Sequence, residues 1–531
     1  MRRIKLFTHP LAVWLILGTG GFIAGVILAA CQSTGIVCSA GLSRCGLGCA
    51  DFKSDTQNCG ACGVACQSLQ ICQNSACQCR PEATLCGSTC VVTSSDPQNC
   101  GGCNSDGGGV ACGPAQVCNQ GRCADRCTPD GGLTACAQGC VDLRSDPLNC
   151  GQCGSQCLTG QSCRDGGTCS SDVVAACFDT GQVVGLQAGP DVLSERHAIG
   201  ANPQTLGAMQ GILLAADGID QRLRQMRLQD FNVLSNFNAL GSSPNHVFVD
   251  DPYVYVVNSL GNTLQVLRRN GVATADGGLQ FSIPAGGELS FGSSTSPQSI
   301  AKLGNNLYIP LWVTGQVAEV DVSNPESPVR RRTFSLSGLD LRSFDGGVTF
   351  PRPVGIAAYR GSIYVALSNL DGSALPLPAG PGMLAQLNVA TDPVVPIPIY
   401  LPSTCLNTYW LVTAGDTLYV SCSGLGTRDT SYHLTAIDRS AVVAVVADGG
   451  ITLWNGACDG GCFGASPGRF AVLGNRLYIG DQLGRMFVID NLDGGFVERR
   501  GYNFATGGLP ISACQSSPSG FANVIDVIPI P

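Results

Sequence analysis

Ser296 to Pro328 reads SPQSIAKLGNNLYIPLWVTGQVAEVDVSNPESP. A short strand-like run stops at Gly304-Asn305, a second opens with Leu307, Tyr308 and Ile309, Thr314-Gly315 turns the chain again, and a third run ends at Asp and Asn. Gly and Asn supply the positive-φ turns of tight hairpins, and β-branched and aromatic residues fill the strands between them. The same phrase recurs as SPNHVFVDDPYVYVVNSLGNTLQVLRRN from Ser243, RPVGIAAYRGSIYVALSN from Arg352, LVTAGDTLYVSCSG from Leu411 and SPGRFAVLGNRLYIGDQLGRMFVID from Ser466. NPQTLGAMQGILLAADG from Asn202 fits more loosely.

The phrases begin near 202, 243, 296, 352, 408, 466 and 517, at spacings of about 40 to 60 residues, the length of a four-stranded propeller blade. The last, SPSGFANVIDVIPIP, has room for only two strands, whereas DTGQVVGLQAGPDVLSERHAIG from Asp179 resembles the second half of a blade, as in VTGQVAEVDV from Val313. The expected fold is therefore mainly β: small disulfide-rich modules followed by a seven-bladed β-propeller over 177–531, closed by two strands from each end. Closure leaves no open sheet edge. The blade phrases are similar to propellers of the broad NHL, YVTN and LVIVD kind, with D-V-S-N-P-E-S-P from Asp321 nearest to LVIVD repeats. That resemblance covers about two thirds of the chain and implies a fold more than an activity.

The composition splits the chain. Of 31 Cys, 25 fall between Cys31 and Cys169. Three units of eight Cys follow one frame, an early Cys, then C-x3-C-x9-C-x2-C, then C-x5-C and a last Cys, after four more residues in units one and two and five in unit three. Unit one (38–77) holds Cys38, Cys45, Cys49, Cys59, Cys62, Cys66, Cys72 and Cys77; unit two (79–123) holds Cys79, Cys86, Cys90, Cys100, Cys103, Cys112, Cys118 and Cys123; unit three (127–169) holds Cys127, Cys136, Cys140, Cys150, Cys153, Cys157, Cys163 and Cys169. Unit two carries the insertion NSDGGGVA between Cys103 and Cys112, as a surface loop on a fixed framework would.

C-x-x-C is also the zinc-knuckle spacing. An even count per unit, no His within the units and an export signal favour disulfides, and no βαβ pattern supports a thioredoxin-like role. The pairing stays open, since eight Cys allow 105 patterns. Such small units bury little apolar surface, so cross-links replace a core, each contributing roughly 2–4 kcal/mol. Ser-Asp-Pro-x-Asn before the C-x-x-C of units two and three, with Thr56 in place of Pro in unit one, reads as turn chemistry, with Asp96 and Asp146 as thin candidates for calcium. The frame with S-D-P-x-N-C-G-x-C-G resembles cysteine-rich modules of myxobacterial secreted proteins and lipoproteins, and more distantly plant stigma-specific proteins. This implies an extracellular module without a known chemistry.

Of the remaining Cys, Cys177 and Cys514 precede the two halves of the closing blade and are expected to clasp it, with Cys405–Cys422 and Cys458–Cys462 as local pairs.

MRRIKLFTHP followed by LAVWLILGTGGFIAGVILAA reads as an export signal, residues 1–30. Leu28-Ala29-Ala30-Cys31 resembles the lipobox of bacterial lipoproteins, which implies lipid attachment at Cys31 and a tether over 31–37. Gln32 suits the outer membrane under the enteric sorting rule. The expected location is the outer membrane or cell surface. The net charge is −8, and −11 once Arg2, Arg3 and Lys5 leave with residues 1–30; such a surface repels nucleic acid and anionic membrane.

Candidate chemistry is sparse. His197, His246 and His433 are the only His after residue 30, no S-x-D-x-G-x-T-W box occurs, and no G-x-S-x-G sits in a strand-turn-helix setting. A lactonase-like calcium site needs carboxylates, for which Asp250, Asp251, Asp321, Asp438, Asp481 and Asp490 are candidates. Their recurrence at equivalent blade positions reads better as strand termination. Asp-Gly-Gly occurs eight times without regular spacing, as hairpin turns rather than a calcium repeat. The expectation is a non-enzymatic, cofactor-free, lipid-anchored protein presenting a propeller on a disulfide-rich stalk to a protein or glycan. The alternatives are a calcium-dependent lactonase-like hydrolase and a periplasmic envelope-assembly scaffold.

Overall fold

The structure, a computed structural model, describes residues 43–530 apart from short stretches, the longest being 125–132, 372–377, 429–433, 456–465, 501–510 and 515–522. The export segment 1–30, Cys31, the tether 31–37, Cys38, Cys127, Cys458, Cys462 and His433 lie outside the described residues, as do the side chains of Cys45, Cys49, Cys140, Asp438 and Asp490. Among the described residues, no helix is long and apolar enough to cross a membrane.

Seven antiparallel sheets form a propeller. Blade 1 comprises Pro203–Met209, Ile212–Asp217, Arg222–Arg227 and Val233–Phe237, from the centre outward. Blades 2, 3 and 4 begin with Pro244–Asp250, Ala301–Leu303 and Pro353–Tyr359, and blades 5 and 6 with Thr408–Ala414 and Pro467–Leu473. Blade 5 carries an extra hairpin, Leu425–Arg428 with Leu434–Asp438, and blade 6 an extra strand, Ile511–Ser512.

The second and third strands are buried on both faces because each blade stacks on two neighbours. Alternate residues therefore divide between two cores. In blade 1, Leu213 and Ala215 pack toward blade 7, while Leu214 and Ala216 pack toward blade 2. Seven apolar clusters result, one at each interface between blades. This explains why the phrase runs as continuous L-Y-I or L-Y-V rather than as apolar-polar alternation. Outer strands such as Val329–Ser335, VRRRTFS, are mostly exposed and polar.

The closing blade differs from the expected two-plus-two. Val524–Pro529 forms its innermost strand alone, and Val173–Cys177, Gln182–Gln187 and Val192–Ala198 supply the other three. The propeller thus begins at Val173 rather than 177, because Val173 to Cys177 is wholly apolar and fully buried between its two partners. Cys177 ends that strand, and Cys514 follows Ile511–Ser512, which pairs with the third strand of blade 6. Their bond, across 337 residues, therefore joins blade 7 to blade 6. Cys405, in the connection from blade 4 to blade 5, is joined to Cys422 in the second strand of blade 5, both fully buried.

Unit two has the bonds Cys79–Cys90, Cys86–Cys103, Cys100–Cys118 and Cys112–Cys123. Counting Cys from the start of a unit, this is 1–3, 2–5, 4–7, 6–8. Unit three shows Cys136–Cys153, Cys150–Cys163 and Cys157–Cys169, and unit one Cys59–Cys72 and Cys66–Cys77, all in that register. The two Cys of each C-x-x-C pair with different partners, so they form no redox couple. Three sulfurs do converge in each unit, Cys100, Cys112 and Cys123 for example, but each is already in a disulfide, whereas zinc takes thiolates. Peptide mapping without reduction is expected to find Cys38–Cys49, Cys45–Cys62 and Cys127–Cys140; any bond between units would break the register.

The signature around C-G-x-C follows from this framework. Asp96 Oδ1 accepts the N–H of Gln98 and Asn99 at 2.8 and 2.9 Å, and Asp146 Oδ1 that of Leu148 at 2.8 Å. Asn149 Oδ1 accepts the Gly154 N–H at 2.8 Å, as Asn58 does for Gly63. Gly101 and Gly151 have φ of 82° and 77°, and a Cβ there would lie 2.6 and 2.5 Å from a backbone oxygen, so only Gly fits. The insertion in unit two forms a turn of 3-10 helix, Asn104–Asp106, without disturbing a bond.

Candidate functional site: the ring of inner strands and the face beyond it

Five inner strands carry a register shift near their start, after Pro203, Pro244, Pro353, Thr408 and Pro467. Bulges re-aim side chains. Aligning the seven blades there places Thr205, His246, Ser299, Gly355, Trp410, Arg469 and Asp526 at one level, one from each blade. Their contacts run around the ring. Asp526 Oδ2 accepts the Leu206 N–H at 2.8 Å, Thr205 Oγ1 the Val247 N–H at 3.3 Å, and His246 Nδ1 the Ile300 N–H at 3.2 Å. Each of these side chains therefore binds the next blade. Ser299 donates to the Val354 carbonyl, and a Cβ on Gly355 would stand 2.6 Å from the Tyr409 carbonyl oxygen.

Arg469 reaches across this ring. Its guanidinium lies 3.3 Å from Asp526 in blade 7, donates to the carbonyls of Gln204 in blade 1 (3.4 Å) and Asn245 in blade 2 (2.6 Å), and sits 4.4 Å over the Trp410 ring in blade 5. One side chain from blade 6 that touches four other blades must lie near the axis. It is 2% exposed, so the centre at this level is filled.

The sequence candidates disperse around this ring rather than converge. His246 is half-buried edge-on to Trp410 at 5.3 Å, and burial, then Arg469, hold its pKa well below the ordinary value; with Nδ1 accepting, its proton sits on Nε2. His197 stacks on Phe231 at 4.1 Å, its pKa lowered by burial. Asp250 pairs with Lys302, Asp251 with Arg269, and Asp481, fully buried, with Arg485. Asp321 accepts the Ser323 N–H, which, with Arg331, holds its carboxyl below the usual range. Asp217 ends the second strand of blade 1 as Asp481 does in blade 6, capping the Ile219 and Asp220 N–H groups and pairing with Arg224. These Asp close turns.

Asp179 lies in the turn after Cys177, and burial pushes its carboxyl up to about 6. The neutral form is favoured by the fold, so this group's stabilising contribution is complete below about pH 4 and is lost as pH rises through 6. Asp179→Asn should match the wild-type thermal midpoint at pH 4 and exceed it at pH 7.5. An equal difference at both pH values would refute the assignment.

Unit three is not a free stalk element but docks on the propeller. Buried Gln161 donates to the Leu228 and Gln229 carbonyls at 2.8 and 3.0 Å, Arg164 pairs with Asp172 at 2.8 Å, and Asp172 caps the Ala188 N–H. These groups lie at the turn between the third and fourth strands of blade 1 and at the end of the innermost strand of blade 7. Both belong to the face where inner strands end. The opposite face, where inner strands begin, carries the turns at Trp312 and Arg352.

Arg469, Trp410 and Arg352 escaped the sequence reading. Aligning the phrases on their shared Pro would have set Arg469 opposite Thr205, His246 and Ser299.

The class is thus a seven-bladed propeller with disulfide-rich N-terminal units. No family model matches the chain, and no curated protein matches it. Among solved structures it is similar to a candidate 6-phosphogluconolactonase from Bacteroides fragilis (11% identity, 68% of this chain and 97% of that one, TM-score 0.45). A second from Bacteroides uniformis has 13% identity over 65% and 98% (TM-score 0.44), and a Lactobacillus plantarum protein 13% over 67% and 98% (TM-score 0.45). These likenesses concern the propeller fold alone.

Proposed function

We propose that this protein is an exported, lipid-anchored envelope protein that presents its propeller, without catalysis, to a protein or glycan partner at the outer membrane or cell surface. The observation that carries this reading is Arg469. A divalent cation at the centre of the ring would meet a guanidinium already held by Asp526, and like charges at such distances repel strongly in a buried setting. The docking of unit three supports the same reading, since it holds that unit against one face of the propeller and leaves the other face turned away from it. The dense disulfides fit an oxidising compartment.

The test compares wild type with Cys31→Ser on intact cells by protease treatment and blotting. Clipping of the wild-type propeller with release or trapping of the variant is expected; protection until the outer membrane is broken would favour envelope assembly instead. Calcium should leave the thermal midpoint unchanged and a lactone panel unturned; calcium-dependent turnover would favour the hydrolase.

A further inference from the structure

The residue before the Pro, or Thr408 in blade 5, on which the inner segments align is short and polar in most blades: Asn202, Ser243, Ser296, Asn407 and Ser466. In Ser243, Ser296 and Asn407 its φ is 59°, 52° and 52°, a left-handed conformation that Asn tolerates well and that larger side chains rarely adopt. Blade 4 breaks the rule with Arg352 at φ 45°. The position does not explain that residue, which places its explanation in what the side chain does.

The Arg352 guanidinium lies 4.1 Å over the Trp312 ring and 5.2 Å from the Phe350 centroid. One Nη donates to the Val313 carbonyl at 3.3 Å, while Nε is buried without an acceptor. Arg224, Arg269, Arg331 and Arg469 all have carboxylate partners; among the described residues Arg352 has none, in a chain of net charge −8. Burial lowers its pKa with no charged neighbour contributing. The exposed Val313 and Phe350 adjoin it, and Phe344, 55% exposed, and Val348, 76% exposed, lie in the chain segment just before Phe350. Backbone pairing ties the segment down, as Phe350 bridges Leu370, Leu370 bridges Pro378, and the Phe344 N–H donates to the Ala379 carbonyl at 2.9 Å.

We propose that this surface, on the face opposite the docked unit three, binds a protein segment in which a carboxylate stands beside apolar side chains. Arg352 receives the carboxylate, and Val313, Phe344 and Val348 receive its neighbours. Stacking leaves the rest of the Nη edge, beyond the bond to Val313, for in-plane hydrogen bonds, the geometry a carboxylate matches. An acidic glycan fits less well. The faces of Trp312 and Phe350 nearest the cation are covered by Arg352 itself, and Val313, Phe344 and Val348 carry no side-chain group to bond hydroxyls.

This inference rests on the binding reading above. The test uses the full chain in detergent and two pools of end-blocked octapeptides, one with Glu between Leu and Phe and one with Gln in its place, followed by calorimetry. The Glu pool should bind at least about tenfold more tightly, as removing a central Arg contact implies. Arg352→Met should abolish that preference, and Val348→Asp, at a solvent-exposed position, should weaken the Glu pool by repulsion. Equal binding of the pools, no binding of either, or an unchanged preference in a folded Arg352→Met overturns the proposal. Binding of polygalacturonate in place of the peptides overturns it but leaves the binding platform standing. Turnover of a lactone would overturn both.

Discussion

Arg469→Met is expected to lower unfolding free energy by about 3–5 kcal/mol, the usual result of removing one partner from a buried ion pair. Asp526 is 4% exposed and would be left with the Leu206 and Val527 N–H groups as its partners. The Gln204 and Asn245 carbonyls would also lose a donor. Adding Asp526→Asn should recover a large part of the loss, since the uncompensated carboxylate is its main source. Urea denaturation of both single variants and the double variant measures this coupling. A neutral Arg469→Met would show that the ring is held by its apolar interfaces alone.

Replacing both Cys177 and Cys514 with Ala should also be costly. Their bond closes a loop of 337 residues, for which the chain-entropy relation gives an upper value of about 6 kcal/mol. The loop closed by Cys405–Cys422 spans 17 residues, for which the same relation gives about 3 kcal/mol. The first double variant should therefore lose roughly twice as much, with a thermal midpoint lower by about 10 °C. Both pairs are buried, so the second serves as a control for deleting a buried disulfide. If the two losses are equal, loop entropy is not the source of the stabilisation, and the clasp between blades 6 and 7 acts only through local packing.

Both predictions concern contacts that cross the ring, which the sequence reading treats least well. Gly304-Asn305, Gly361 and Gly474 mark hairpin turns locally, so blade number could be counted from the phrase. The C-terminal phrase suggested two strands where one is seen, because VVAAC at Val173 has no turn of its own and declares itself a strand only beside Val524–Pro529. Asp250, Asp321 and Asp481 looked like possible ligands in sequence, yet their cation partners are Lys302, Arg331 and Arg485. Lys302 comes from the next blade, a pairing that spacing alone does not reveal.

What this chain's sequence determines by itself is what depends on near neighbours. The turn residues specify hairpins, continuous apolar runs specify strands buried on both faces, and the thrice-repeated Cys frame specifies three copies of one cross-linked unit. Tertiary structure alone decides which sulfur meets which, that unit three docks through Gln161, and that Thr205, His246, Trp410, Arg469 and Asp526 share one ring. The reason is physical. Hairpin and strand preferences arise from interactions over a few residues, whereas a guanidinium at the axis is defined by atoms that ring closure brings together from across more than 300 residues.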